Sequence, residues 1–226
     1  MVEGVVGLMG MGKTYYTTWR AHEALKAGIR VVANYHIDGA EHCGGWDDLM
    51  QATVPHIDDR GIPVRIPTLC IIDEANLWCP SRFWQKLDPR LLYLWSQSRK
   101  FSLDILWTAQ HEQRVDTALR EVSYCVWVCK RLPLGWFLYR SYQIEEMRKE
   151  KRHRLASKWV RLRKDICESY NTWEVIDLGV ECLRGIERAP DYRAPDEGQH
   201  WSEPVFTEKH GSGKRRGLLA VGGSAK

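Results

Sequence analysis

Gly7, Gly12, Lys13 and Thr14, in GLMGMGKT (7–14), fit the pattern G-x-x-x-x-G-K-[ST] without a mismatch. Glycines let a backbone wrap so that successive N–H groups face a β-phosphate, and the helix that follows adds its positive N-terminal end. Lys13 has the reach to bridge β- and γ-phosphates, and Thr14 can offer its hydroxyl to Mg²⁺. Gly10 and Tyr15, inside and just after the motif, complete the expected nucleotide contacts. By residue frequencies such a match arises in about one chain in a hundred. Here it also lies between an apolar run, GVVGL (4–8), and a helical stretch, which is the context a phosphate cradle needs.

A phosphate cradle calls for an acid at the end of a neighbouring apolar strand, and TLCIIDEA (68–75) supplies two. Asp73 is expected to hold Mg²⁺ through water, and Glu74 to polarise the attacking water. Glu74 favours a hydrolase over a kinase of small molecules. LDILWTAQ (103–110) reads as a strand ending in Gln110, a polar residue placed to sense the γ-phosphate.

The elements that must position these groups follow from the apolar periodicity. Strands are expected at 4–8, 30–37, 68–75, 103–110 and 124–132. Helices are expected from Lys13 to about Lys26 with a stop at Gly28, near 46–53, at 88–100 with Asp88 as N-cap and Pro89 at the first helical position, and at about 113–122. HCGGWDD (42–48) reads as a turn, and GIPVRIP (61–67) as a loop whose prolines exclude a central strand. The alternation predicts an α/β fold with a mostly parallel central sheet flanked by helices. GWFLYRSYQI (135–144) alternates like an antiparallel strand, and NTWEVIDL (171–178) reads as a last one.

The 226 residues suit one α/β domain, assigned to 1–182, with a Pro-, Gly- and charge-rich extension at 183–226 and a disordered tail from 210. Net charge is only +4, but 147–164 holds nine Lys/Arg against one Glu. That basic insertion reads either as a solvated helix face or as a track for a phosphate backbone, with Trp159 available to stack on a base. Seven cysteines without a secretory signal point to free thiols in a reducing cytosol. His36, His42 and Cys43 match no common zinc spacing. Cys125 and Cys129 read as core residues, and no run is long enough to span a membrane.

GLMGMGKT, CIIDEAN, WSQSRKFSLDILWTAQHEQRVDTALRE and YNTWEVI together resemble, over roughly residues 1–180, the ATPase domain of zonula-occludens-toxin-like (Zot) proteins, assembly ATPases of filamentous phages. They equally resemble the wider HerA/FtsK group of DNA-translocating ATPases, which includes viral packaging ATPases. The resemblance implies a P-loop NTPase of the additional-strand (RecA/ASCE-like) type, with one strand between those bearing the cradle and the acid. It also implies ATP and Mg²⁺ as cofactors, a homo-oligomeric ring, and an arginine reaching the neighbour's nucleotide. Arg99 is the first choice for that arginine, with Arg82, Arg114 and Arg120 as rivals. The implied function is an ATP-hydrolysing motor of virus or phage assembly that translocates or packages DNA, alongside capsid or membrane-bound assembly proteins. The implied place is the host cytoplasm, peripherally at the inner membrane or with the virion. The alternatives are an ATPase that extrudes protein subunits at a membrane, and a nucleotide-gated adaptor with little turnover.

Overall fold

β1 (Val2–Val6) leads through the glycine turn into α1 (Lys13–Lys26), which stops at Ala27 and at Gly28 with φ 71°. The computed structural model describes residues 1–81, 89–149 and 151–171. Next come β2 (Arg30–Ala33), the short β3 (Glu41–His42) and α2 (Trp46–Ala52). β4 (His56–Ile57) and β5 (Pro63–Val64) form a separate antiparallel pair. Then follow β6 (Thr68–Ile72), α3 (Ala75–Trp78), α4 (Pro89–Ser96), β7 (Leu103–Ala109) and α5 (Thr117–Glu121). The last elements described are β8 (Cys125–Leu132), β9 (Trp136–Tyr142), β10 (Arg154–Arg161) and α6 (Lys164–Glu168).

Eight strands make one sheet in the order β10-β9-β8-β1-β7-β6-β2-β3. The six from β8 to β3 run parallel, and β9 and β10 extend the sheet antiparallel. β7 lies between β1 and β6, so one strand separates the glycine turn from the acid-bearing strand, as the resemblance implied. Strands covered on both faces read as continuous apolar runs, and TLCII of β6 is buried at every position. One face packs on α1 through Tyr15, Tyr16, Ala21 and Ala24. The other packs on α2, α4 and α5 through Leu49, Leu91, Leu94, Trp95 and Leu119. Among the described residues no helix is long and apolar enough to cross a membrane.

Several expected boundaries move. The strand expected over 30–37 ends at Ala33, and the Asn34 side chain that follows it bonds the backbone of Asp73, just past the end of β6. The segment 61–67 is a loop but for Pro63–Val64, which pairs outside the main sheet as its prolines require. The helix expected at 113–122 divides into a 3-10 turn at Glu112–Arg114 and α5, which Asp116 caps by accepting from Ala118 N–H at 2.8 Å. The helix expected at 88–100 ends at Ser96 and resumes as a 3-10 turn, Ser98–Phe101. The helix reading of the basic insertion is overturned: Arg154–Arg161 is β10, paired along its length with β9. Asp88 as N-cap, the strand at 171–178, the boundary at 182 and the tail lie outside the described residues.

Candidate active site

Thr14 and Asp73 meet where β1 and β6 end. The Thr14 hydroxyl donates to Asp73 Oδ2 at 3.0 Å, and Lys13 Nζ stands 4.0 Å from Glu74 Oε1. These contacts join two motifs 59 residues apart, at the edge of a parallel sheet where ligands of α/β folds bind. Gly12 N-caps α1 at φ 90°, and Gly10 has φ 75°. No side chain caps this helix, and its first closing bond runs from Tyr16 N–H to Gly12 O. The N–H groups of Lys13, Thr14 and Tyr15 are thereby left outside the helical ladder, as an anion site requires. Lys13 Nζ, itself buried, reaches back to Leu8 O at 3.5 Å.

Asp73 is buried and heavily tied. Thr108 Oγ1 donates to its Oδ1 at 2.6 Å. Asn34 brackets its backbone, accepting from Asp73 N–H at 2.7 Å and donating to Asp73 O at 2.9 Å. Burial raises its pKa, opposed by the hydrogen bonds from Thr108 and Thr14 and by the Lys13 charge. Glu74 sits in the left-handed region at φ 49°, where a non-glycine residue is strained. Its N–H donates to Thr108 Oγ1 at 3.0 Å, so a single hydroxyl fixes both acids. Burial raises the Glu74 pKa as well. Lys13 opposes the rise, Asp73 adds to it, and Arg114 and the Asn76 amide oppose it more weakly.

The glycines of the turn are there for space. A Cβ on Gly12 would lie 2.6 Å from Phe137 ring atoms, and one on Gly7 would lie 3.2 Å from Cys129 Cβ. The Tyr139 hydroxyl donates to Gly12 O at 3.0 Å. The antiparallel flank therefore braces the turn from one side. From the other, Thr17 and Thr18 both donate to Thr14 O at 2.9 Å and both share the Tyr35 hydroxyl.

Gly7, Gly10, Gly12, Lys13, Thr14, Asp73 and Glu74 thus come together. Gln110 follows β7 beside Thr108, and its Oε1 accepts from Arg114 at 3.0 Å. Arg114, a rival for the trans arginine, donates to Gln110 and is among the charges that hold the Glu74 pKa down. Arg120 turns to Val115 O and Thr117, and Arg82 lies outside the described residues. Arg99 is elsewhere: with Thr68, Leu103 and Asp104 it lines a cavity of about 980 Å³ at the opposite edge, where β6 and β7 begin.

The Tyr15 side chain is no nucleotide contact. It is buried, stacks on Phe137 at 5.2 Å, and its hydroxyl donates to Arg161 O while accepting from Arg163 N–H. Only its backbone N–H faces the turn, because a side chain next to Thr14 on α1 turns toward the core. Cys43 is buried and donates to Gly45 O, while exposed His36 bonds Asp38. Cys125 and Cys129 are buried free thiols, as expected of core residues. Asn34, Thr108, Phe137 and Tyr139 were not foreseen. For Asn34 a signal existed in VVAN, a polar residue closing an apolar run.

The donor set suits a hard cation: a hydroxyl and a carboxylate, both oxygen ligands, beside a backbone turn and an ammonium group that suit a triphosphate. Among solved structures, the N-terminal domain of zonular occludens toxin from Neisseria meningitidis aligns over 75% of this chain and 98% of its own, at 17% identity and TM-score 0.49. The genome packaging NTPase B204 of Sulfolobus turreted icosahedral virus 2, in complex with ATP-gammaS, aligns over 70% and 95%, at 14% identity and TM-score 0.46. No curated protein sequence matches the chain. The family model described as zonular occludens toxin (Zot) matches residues 47–173, more than half of the sequence, and the chain belongs to the Zot family.

Proposed function

We propose that the chain is a Mg²⁺-dependent ATPase that powers a step of phage or virus assembly, with DNA as the load it moves. The observation that carries the hydrolytic part is the pair of cross-links at one sheet edge, Thr14 to Asp73 and Lys13 to Glu74. Free amides of the turn and Lys13 would hold the phosphates. Thr14 and Asp73 would hold Mg²⁺, which when bound supplies charge neutralisation to the transferring phosphoryl group. Glu74 would orient and deprotonate water. Its raised pKa makes it a stronger base than an exposed carboxylate, and Thr108 locks its backbone. Gln110, which follows β7 and accepts from Arg114, would serve as the sensor. ATP as the nucleotide, DNA as the load, and a ring with Arg99 presented to the next subunit rest on Zot membership and the motif resemblance.

Phosphate release from Mg·ATP, with and without single- or double-stranded DNA, tests the reading. Glu74→Gln should lower turnover at least a hundredfold and leave nucleotide affinity within about threefold. Turnover equal to wild type in that variant would falsify the assignment of the base. Hydrolysis that ignores DNA would leave the ATPase standing and transfer the load to protein subunits.

A further inference from the structure

The β8–β9 hairpin runs past the body of the sheet. β8 last pairs with β1 at Val128 and continues through Cys129–Leu132, turns at Pro133–Gly135, and returns as β9. Its end is apolar. Leu134 is 91% exposed at φ 59°, a left-handed conformation that leucine rarely adopts. Leu162, whose N–H donates to Gly135 O at 2.7 Å, lies beside it and is 46% exposed. One row back, Leu132 pairs with Trp136, which is 38% exposed, and Trp136 pairs with Arg161. Two rows behind them come Lys130, Leu138 and Trp159, the last 63% exposed, and after a further two Arg140. Leu132, Pro133, Leu134, Trp136 and Trp159 line one shallow apolar surface.

Charge around it has one sign. The three strands CVWVCKRL, WFLYRSY and RLASKWVR contain no Asp or Glu. Lys158 is spent inside, over the rings of Trp19 and Trp127. Lys130, Arg131, Arg140 and Arg161 are exposed and make no ion pair among the described residues. The acids that follow the tip, Asp165 and Glu168, are held by Arg163 and Lys164.

We propose that this hairpin tip, with Trp159 and Leu162, seats in the interface of an anionic lipid bilayer. From the tip inward come the leucines and then the tryptophans, with Arg161 in the row of Trp136, Lys130 in the row of Trp159, Arg131 between them and Arg140 behind. That is the depth profile of an interfacial anchor, with apolar side chains below the headgroups, indoles at their level and cations against lipid phosphates. A single-stranded nucleic acid would use the tryptophans and the cations, but a base gains nothing from an outthrust Leu134, which is why the membrane is favoured. The proposal does not depend on hydrolysis.

The test uses the full chain with vesicles of phosphatidylcholine alone and with added phosphatidylglycerol, reading co-sedimentation and tryptophan emission. Wild type should bind the anionic vesicles with a blue shift, bind neutral ones at least tenfold more weakly, and be released by high salt. Leu134→Asp should lower binding about tenfold or more, and Arg131→Gln with Arg161→Gln should abolish the preference for anionic lipid. These positions are exposed, so unchanged melting curves would show that the fold is intact. Equal binding by Leu134→Asp, or no binding to either vesicle, overturns the proposal. So does an oligothymidylate that quenches Trp159 in wild type and Leu134→Asp alike, which would make the surface a nucleic-acid platform. A dimer that Leu134→Asp splits, with vesicles ignored, would make it an interface between copies.

Discussion

The glycine turn and the β8–β9 hairpin tip project from the same edge of the sheet and are built in opposite ways. Each holds two residues in the left-handed region: Gly10 and Gly12 in the turn, Leu134 and Gly135 at the tip. In the turn the positive φ falls on glycine, and Phe137 closes the space a Cβ would need at Gly12. At the tip it falls on a leucine that packs on almost nothing. Polar groups differ in the same sense. Asp73 is held by Thr14, Thr108 and Asn34, and Lys13 faces Glu74, whereas Lys130, Arg131 and Arg161 make no ion pair among the described residues. Cross-tied polar groups at fixed positions suit chemistry; open cations around apolar side chains suit contact.

The sharpest way to break the comparison is to place a side chain in the turn. Gly12→Ala puts a Cβ against Phe137 in a conformation that alanine resists, and should cost about 3 kcal/mol. Thermal melting should fall by about 6–12 °C and nucleotide binding should be lost. Melting within a degree of wild type would show that Phe137 moves freely and braces nothing.

Next in size is the shared hydroxyl. Thr108→Val removes a donor to Asp73 and an acceptor for Glu74 N–H in a buried position, at about 1–3 kcal/mol. Because it positions the base rather than touching substrate, turnover should fall about tenfold with KM nearly unchanged, and Thr108→Ser should restore it. If serine fails, the methyl packing matters more than the hydroxyl.

Thr108 also marks where sequence reasoning runs out. The phosphate motif, the acid pair and α1 are local: consecutive residues carry the pattern, and α1 spans the expected Lys13–Lys26. Thr108, Asn34, Phe137 and Tyr139 act only after strands far apart in sequence are placed in register, and register is not written in any short window. Tyr15 divides along the same line: its adjacency to Thr14, which brings its backbone N–H to the turn, is legible, and the direction of its side chain is not. The basic insertion misled because alternation in RLASKWVR is masked by charge on both faces, while pairing with β9 decides its conformation.

A smaller effect tests the buried acids. Asp73 and Glu74 both titrate above the ordinary carboxylate range in the fold, so the folded chain binds protons more tightly than the unfolded one. Their unfavourable contribution is absent below the unfolded pKa and grows as pH rises through the folded ones. Without divalent cation, Asp73→Asn should therefore raise melting by about 2–4 °C at pH 8 and by nothing at pH 4. With Mg·ATP the order should reverse, since wild type alone gains the bound cation. A variant less stable at pH 8 would mean that the hydrogen bonds from Thr14 and Thr108 outweigh the burial of charge.

The smallest effect sharpens the contrast from the tip. Leu134 sits at φ 59° with its side chain in water, so it bears backbone strain that no packing offsets. Asparagine tolerates this region better than leucine does, through local hydrogen bonding of its short polar side chain. Leu134→Asn should accordingly stabilise the fold by about 0.5 kcal/mol, a rise in melting of about 1–2 °C, and leave phosphate release unchanged. If it also weakens vesicle binding, the leucine is held there against folding stability for what it touches outside the molecule. If Leu134→Asn destabilises the chain, the tip is packed after all, and the distinction between a tied turn and an open hairpin fails at the residue that defines it.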